Sequence, residues 1–143
     1  MNLEILFKGR EGLANPMIGI VEDDGAIRDS LSLLLTTRGF EVRSFASAVE
    51  FLGSPSIDRM AGLVIDQQMP DISGVELVEI LRARNVPTPV IMMTGGSDPL
   101  LEKRALKAGA LALIKKPLST SELVGWLKLA LIRQGDADRA NIH

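Results

Sequence analysis

The sequence predicts an α/β domain, a doubly wound parallel sheet of five strands with five helices covering its two faces. Three observations predict it. Short apolar runs alternate with longer segments whose apolar residues recur at helical spacing, and this pair repeats five times along the chain. The runs "MIGIV" (17–21) and "LVID" (63–66) are nearly continuous in apolar residues, which is how a strand buried on both faces reads. Residues suited to helix ends stand between the segments. Strand then helix, repeated, requires crossover connections, because parallel neighbours cannot be joined by tight turns.

The elements follow in order. After "MIGIV", residues 25–39 place Ile27, Leu31, Leu34 and Leu35 on one helical face. The strand "EVRSF" (41–45) precedes a short helix at 47–53, and "LVID" precedes a helix at 74–84. The strand "PVIMMT" (89–94) leads to a helix at 99–109, and "LALI" (111–114) leads to the last helix at 120–134. Gly39 and Gly109 stand where helices should stop in a left-handed residue, Pro99 suits a first helical turn, and Ser119, Thr120 and Ser121 offer N-caps before Glu122. Residues 1–16 read as an extension ahead of the patterned part, 17–134 as the domain, and the polar 135–143 as a frayed tail.

Composition narrows the function. A chain of 143 residues with 46% apolar content has room for one core and one domain. The absence of cysteine excludes a disulfide framework, a thiolate metal site and a cysteine nucleophile, and agrees with a reducing cytoplasm. A net charge of -2 and a pI near 5.4 argue against a general nucleic-acid surface. No apolar run approaches the roughly 18 residues of a membrane span.

The chemistry collects at strand ends. "VEDDG" (21–25) follows the first strand as "DQQMP" (66–70) follows the third, so Glu22, Asp23 and Asp66 should share one crevice at the carboxyl edge of the sheet. Three carboxylates there cannot all stay ionised without protonation, a basic partner or a cation. Oxygen ligands with no histidine or cysteine nearby select a hard ion, and few protein ligands suit Mg2+. Lys116, closing the fifth run, is the available basic partner, and Thr94 supplies a hydroxyl beside Gly95 and Gly96. Acids, hydroxyl and ammonium together describe phosphoryl transfer onto a carboxylate, with Asp66 attacking in line. Taken singly each residue is ordinary. A strand-end Asp often caps a turn, Asp24 suits an N-cap, Thr is common at strand ends, Lys115 suits a solvated position, and Trp126 suits packing. His143, the only histidine, is terminal and suits no histidine phosphocarrier.

The ordered set "IVEDD", "LVIDQQMPDISG", "VIMMTGG" and "AGALALIKKP" resembles the receiver domain of two-component response regulators, and "MPDISGVEL" is similar to receivers of the nitrogen-fixation and LuxR-output type. The resemblance covers about residues 17 to 133. It implies a flavodoxin-like sheet of order 2-1-3-4-5. It implies Asp66 as phosphoacceptor from a histidine kinase or histidine phosphotransfer protein, with Glu22 and Asp23 as the acidic pair around Mg2+. The main-chain carbonyl of Gln68 becomes a further metal ligand, Thr94 the switch hydroxyl, and Lys116 the lysine before a proline.

Two features depart from the pattern. The family's switch aromatic lies three residues before the lysine, where this chain has Leu113, and an output module after the domain, and with it direct DNA binding, is not expected. The expected function is a cytoplasmic phosphorylation switch that catalyses only its own phosphorylation and dephosphorylation. It would change the binding of a downstream protein partner, or form a phosphorylation-dependent homodimer. The alternative is a receiver-like interaction module that acts independently of phosphorylation. Enzymes on the same fold fit less well: "VEDDG" is acidic where a flavin phosphate loop should be, G-x-G-x-x-G is absent, and Gln68 stands where a haloacid-dehalogenase-like phosphatase would carry a second carboxylate.

Overall fold

Five parallel strands form one sheet in the order β2-β1-β3-β4-β5. The computed structural model describes residues 15–140, and most of the expected N-terminal extension lies outside them. The strands are β1 (Met17–Val21), β2 (Glu41–Phe45), β3 (Gly62–Asp66), β4 (Val90–Thr94) and β5 (Ala112–Lys115). The helices are α1 (Gly25–Thr37), α2 (Ala48–Leu52), α3 (Gly74–Ala83), α4 (Pro99–Ala108) and α5 (Thr120–Ala140). A short 3-10 turn, Ile57–Arg59, lies between α2 and β3.

Side chains alternate across the sheet and divide the core in two. Val21, Leu63, Ile65, Val90 and Met92 pack with Phe51, Val75, Leu77, Val78, Leu81 and Ala105, so α2, α3 and α4 cover one face. Ile18, Ile20, Val64, Ile91 and Met93 pack with Leu31, Leu35, Leu123, Leu127 and Leu131, so α1 and α5 cover the other. With both faces covered, β1, β3 and β4 are buried throughout, as their apolar runs require. The edge strand β2 is half exposed and accordingly carries Arg43 and Ser44.

The helix ends are specified locally. The Asp24 side chain accepts from the N–H groups of Ala26 and Ile27 and starts α1, while Gly39, just past its end, takes φ 95°. Ser73 and Glu76 form a capping box on α3. Asp98 and Pro99 start α4, Gly109 ends it at φ 110°, and Ser119 Oγ accepts from Glu122 N at the start of α5. Several boundaries differ from the sequence expectation by a residue or two, and two differences stand out. Pro89 has no N–H to give the ladder, so β4 begins at Val90. The last helix runs on through the polar residues after 134 to Ala140. Residues 141–143 lie outside the described part.

Candidate functional site

Strand register assembles the site. Val21 pairs with Ile65, so the residues one step further, Glu22 and Asp66, leave the sheet side by side. Asp66 pairs with Met93 and Thr94 with Lys115, which brings Thr94 and Lys116 to the same carboxyl edge. The Glu22 N–H still bonds Phe45 O, the Gln67 N–H bonds Met93 O, and the Lys116 N–H bonds Thr94 O at 2.7 Å. Backbone hydrogen bonds thus reach Glu22 and Lys116 and run one residue past Asp66.

Glu22, Asp66 and Thr94 are buried, Lys116 is half-buried and Asp23 is exposed. One carboxylate oxygen each of Glu22, Asp23 and Asp66 lies within 4.8 Å of the other two. Lys116 Nζ stands between two of these acids, 3.0 Å from Glu22 Oε1 and 3.2 Å from Asp66 Oδ1. Glu22 Oε2 accepts from Asp24 N at 3.4 Å, and Thr94 Oγ1 accepts from Gly96 N at 3.2 Å. Gln68 is exposed, two residues beyond Asp66 in the segment between β3 and α3.

The charges are strained against one another. Burial, then the neighbouring Asp66, push the Glu22 carboxyl up to about 7 against the pull of Lys116. Burial works to lower the Lys116 ammonium, but its bonds to Glu22 and Asp66 outweigh that and hold it above the ordinary lysine range. An acidic cluster of this kind suits a hard divalent cation: every donor is oxygen, and among the described residues Lys116 alone forms ion pairs with the two buried acids.

The segment after Asp66 is packed tightly against α3. Gln67 Oε1 accepts from Val75 N at 2.9 Å and Gln67 O accepts from Gly74 N. A Cβ at Gly74 would lie 2.7 Å from Asp66 O and 2.9 Å from Gln67 Cα, so only glycine allows this approach. On the other side, an apolar groove of about 700 Å³ separates α1, at Ile27, Leu31 and Leu34, from the turn Lys116 to Leu118.

Residues 18–128 match the response regulator receiver domain. The chain belongs to this family.

This receiver is 36% identical to the transcriptional regulatory protein FixJ of Bradyrhizobium diazoefficiens over 119 residues, which are 83% of this chain and 58% of FixJ. It is 36% identical to FixJ of Rhizobium meliloti over 128 residues, 87% of this chain and 63% of that protein. With the response regulator protein TodT of Pseudomonas putida it shares 33% over 115 residues, 80% of this chain and 51% of TodT. The chain therefore spans between about half and two thirds of the length of these curated relatives. Among solved structures it is similar to FixJ-N, with a TM-score of 0.75 and 35% identity over 83% of this chain and 95% of that one. A CheY-like receiver from Methanospirillum hungatei gives 0.79 and 32% over 87% and 99%. The receiver is a signalling domain of two-component systems rather than a metabolic enzyme, and such domains typically bind Mg2+ at an acidic pocket. Among the described residues no helix is long and apolar enough to cross a membrane.

The sites expected from sequence meet at this edge, except that the placement of Gln68 concerns its chain position alone. Sequence reading missed three participants. Arg28, which the sequence does not single out, folds its guanidinium back to the carbonyls of Glu22 and Asp23. Gly74 reads as a helix start, with no signal of what it approaches. Lys115 is exposed as expected, and its Nζ also donates to Ser97 Oγ at 3.0 Å, joining β5 to the loop after β4.

Proposed function

We propose that this receiver accepts a phosphoryl group on Asp66 from the phosphohistidine of a kinase or phosphotransfer protein in the cytoplasm. The observation that carries the reading is Lys116 Nζ shared between the carboxylates of Glu22 and Asp66, with Thr94 ending the adjacent strand. A carboxylate oxygen of Asp66 forms the new O–P bond as the N–P bond of the donor breaks, and the imidazole leaves with that electron pair. Lys116 faces the added charge, and the Thr94 hydroxyl, whose oxygen accepts from Gly96 N, donates its proton to a phosphoryl oxygen. Glu22, Asp23, Asp66 and the Gln68 carbonyl would hold Mg2+, which supplies positive charge to the transferring group when bound. The groove between α1 and the turn after β5 flanks this approach and gives an amphipathic donor helix an apolar seat.

The output follows from what moves. Leu113 is half-buried against the α2–α4 core and has no ring to swing. The change at Thr94 is therefore passed through the loop 95–98 and α4 to a downstream partner or a second copy. Without phosphorylation the half-buried Lys116 would serve only to balance Glu22 and Asp66, so the interaction-module alternative ranks second. Intact mass after incubation with a small phosphodonor tests the reading. A phosphate-sized adduct is expected only with Mg2+ and not on Asp66→Asn; an adduct on the variant, or none on wild type, would reject Asp66 as acceptor.

A further inference from the structure

We infer that Arg28 is a positioning residue of the acidic site, holding the turn after β1 so that Glu22 and Asp23 face Asp66. The β1 ladders end at Val21, which leaves the Glu22 carbonyl beyond the last strand pair although its residue is buried. Arg28 Nη1 takes that carbonyl at 2.8 Å and reaches the Asp23 carbonyl at a looser 3.5 Å. Its Nη2 lies 3.5 Å from the place a Cβ on Gly25 would occupy, an ordinary van der Waals contact, so the guanidinium lies beside the turn.

The effect reaches the carboxylates through Asp24. With its carbonyls gathered under Arg28, the turn presents Asp24 N to Glu22 Oε2 while Lys116 holds Glu22 Oε1. Glu22 is thereby fixed at both oxygens. The Asp24 side chain completes the same turn from the helix side by accepting from Ala26 N and Ile27 N. Without the guanidinium, the turn loses its only side-chain donors to the carbonyls of Glu22 and Asp23 among the described residues, Asp24 N shifts, and Glu22 turns toward Lys116. The three ligand oxygens then no longer converge. Outer partners that orient metal ligands typically matter this way, by about 10- to 100-fold in affinity.

The inference rests on the reading of Glu22, Asp23 and Asp66 as the Mg2+ site. Calorimetric Mg2+ titration of the full chain at pH 8, for wild type, Arg28→Ala, Arg28→Lys and Asp23→Asn, tests it alongside urea unfolding of each. Arg28→Ala is expected to bind Mg2+ about tenfold more weakly while folded. Arg28→Lys, which offers a single donor nitrogen on a shorter stem, should fall between, and the amide resonances of Asp23 and Asp24 should shift in both. A purely structural role would lower the urea midpoint and leave the affinity of the folded protein unchanged, which would overturn the inference. So would tighter binding on removing Arg28, because its charge by itself opposes a cation. Should Arg28→Ala not fold, Arg28→Lys decides alone: wild-type affinity overturns the proposal and weakened affinity with shifted Asp23 and Asp24 amides supports it. A wild type that binds no Mg2+, or binding that ignores Asp23→Asn, rejects the metal site itself and is read without reference to Arg28.

Discussion

Glu22 concentrates the conflict at this site into one residue. Its carboxyl is pushed from 4.5 to about 7 by burial and Asp66, so the folded protein holds its proton more tightly than the unfolded chain does. Its contribution to stability is fully present below pH 4.5 and is lost as pH rises through about 7. In Mg2+-free buffer the urea midpoint should fall across that window, and Glu22→Gln should flatten the fall; an equal slope in both proteins would assign it elsewhere. Gly74 makes a second residue-scale case. A Cβ there would lie 2.7 Å from Asp66 O, so Gly74→Ala must push α3 or β3 aside. We expect a loss of about 1–3 kcal/mol in urea unfolding, with slower phosphate adduct formation, because the displaced residue is the proposed acceptor.

At the scale of elements, α4 is held unequally at its two ends. Its carboxyl end is tied by Arg82 of α3, whose guanidinium donates to Gly109 O at 2.9 Å and to Val86 O and Thr88 O at 2.7 and 3.0 Å. Arg104 adds an exposed pair with Glu79 at 2.8 Å. Its amino end follows the loop 95–98, where a Cβ on Gly95 would meet nothing within 4 Å. Such a helix should pivot about its fixed end if the loop moves. Arg82→Ala leaves three carbonyls short of a charged donor and should cost about 2–4 kcal/mol in urea unfolding. It should also raise amide exchange at Gly109 and Ala110; unchanged protection there would show that α4 is anchored by packing alone.

For the molecule as a whole, the site lies at one edge and the response must travel across the sheet end to a surface. Thr94 and Lys116 bracket residues 95 to 115 in sequence, so displacement at Thr94 is felt first by the loop, α4 and β5. Lys115, bonded to Ser97, links β5 to that loop and should part from it as the loop shifts. Loading the protein with Mg2+ and the phosphoryl mimic beryllofluoride should therefore alter amide exchange across 95–118 and raise sedimentation mass or partner binding. Exchange changes confined to the acceptor pocket, with no change in association, would favour the interaction-module reading.

Much of this was legible in the sequence because it is set locally or by period. Apolar runs, caps at Asp24, Ser119 and Gly109, and the order of strands and helices depend on neighbours within a few residues, and they announce themselves. The identity of the acidic, hydroxyl and ammonium groups was also readable, because their spacing sets them at strand ends. What only tertiary structure decided is which atoms meet across the chain. Lys116 shares Glu22 and Asp66 over long sequence separations, Gly74 makes room for a carbonyl of another element, and Arg28 turns back from its helix to the loop before it. Those contacts depend on strand register and on the path of long side chains. A one-dimensional pattern carries the period of each element but not the distance between two of them.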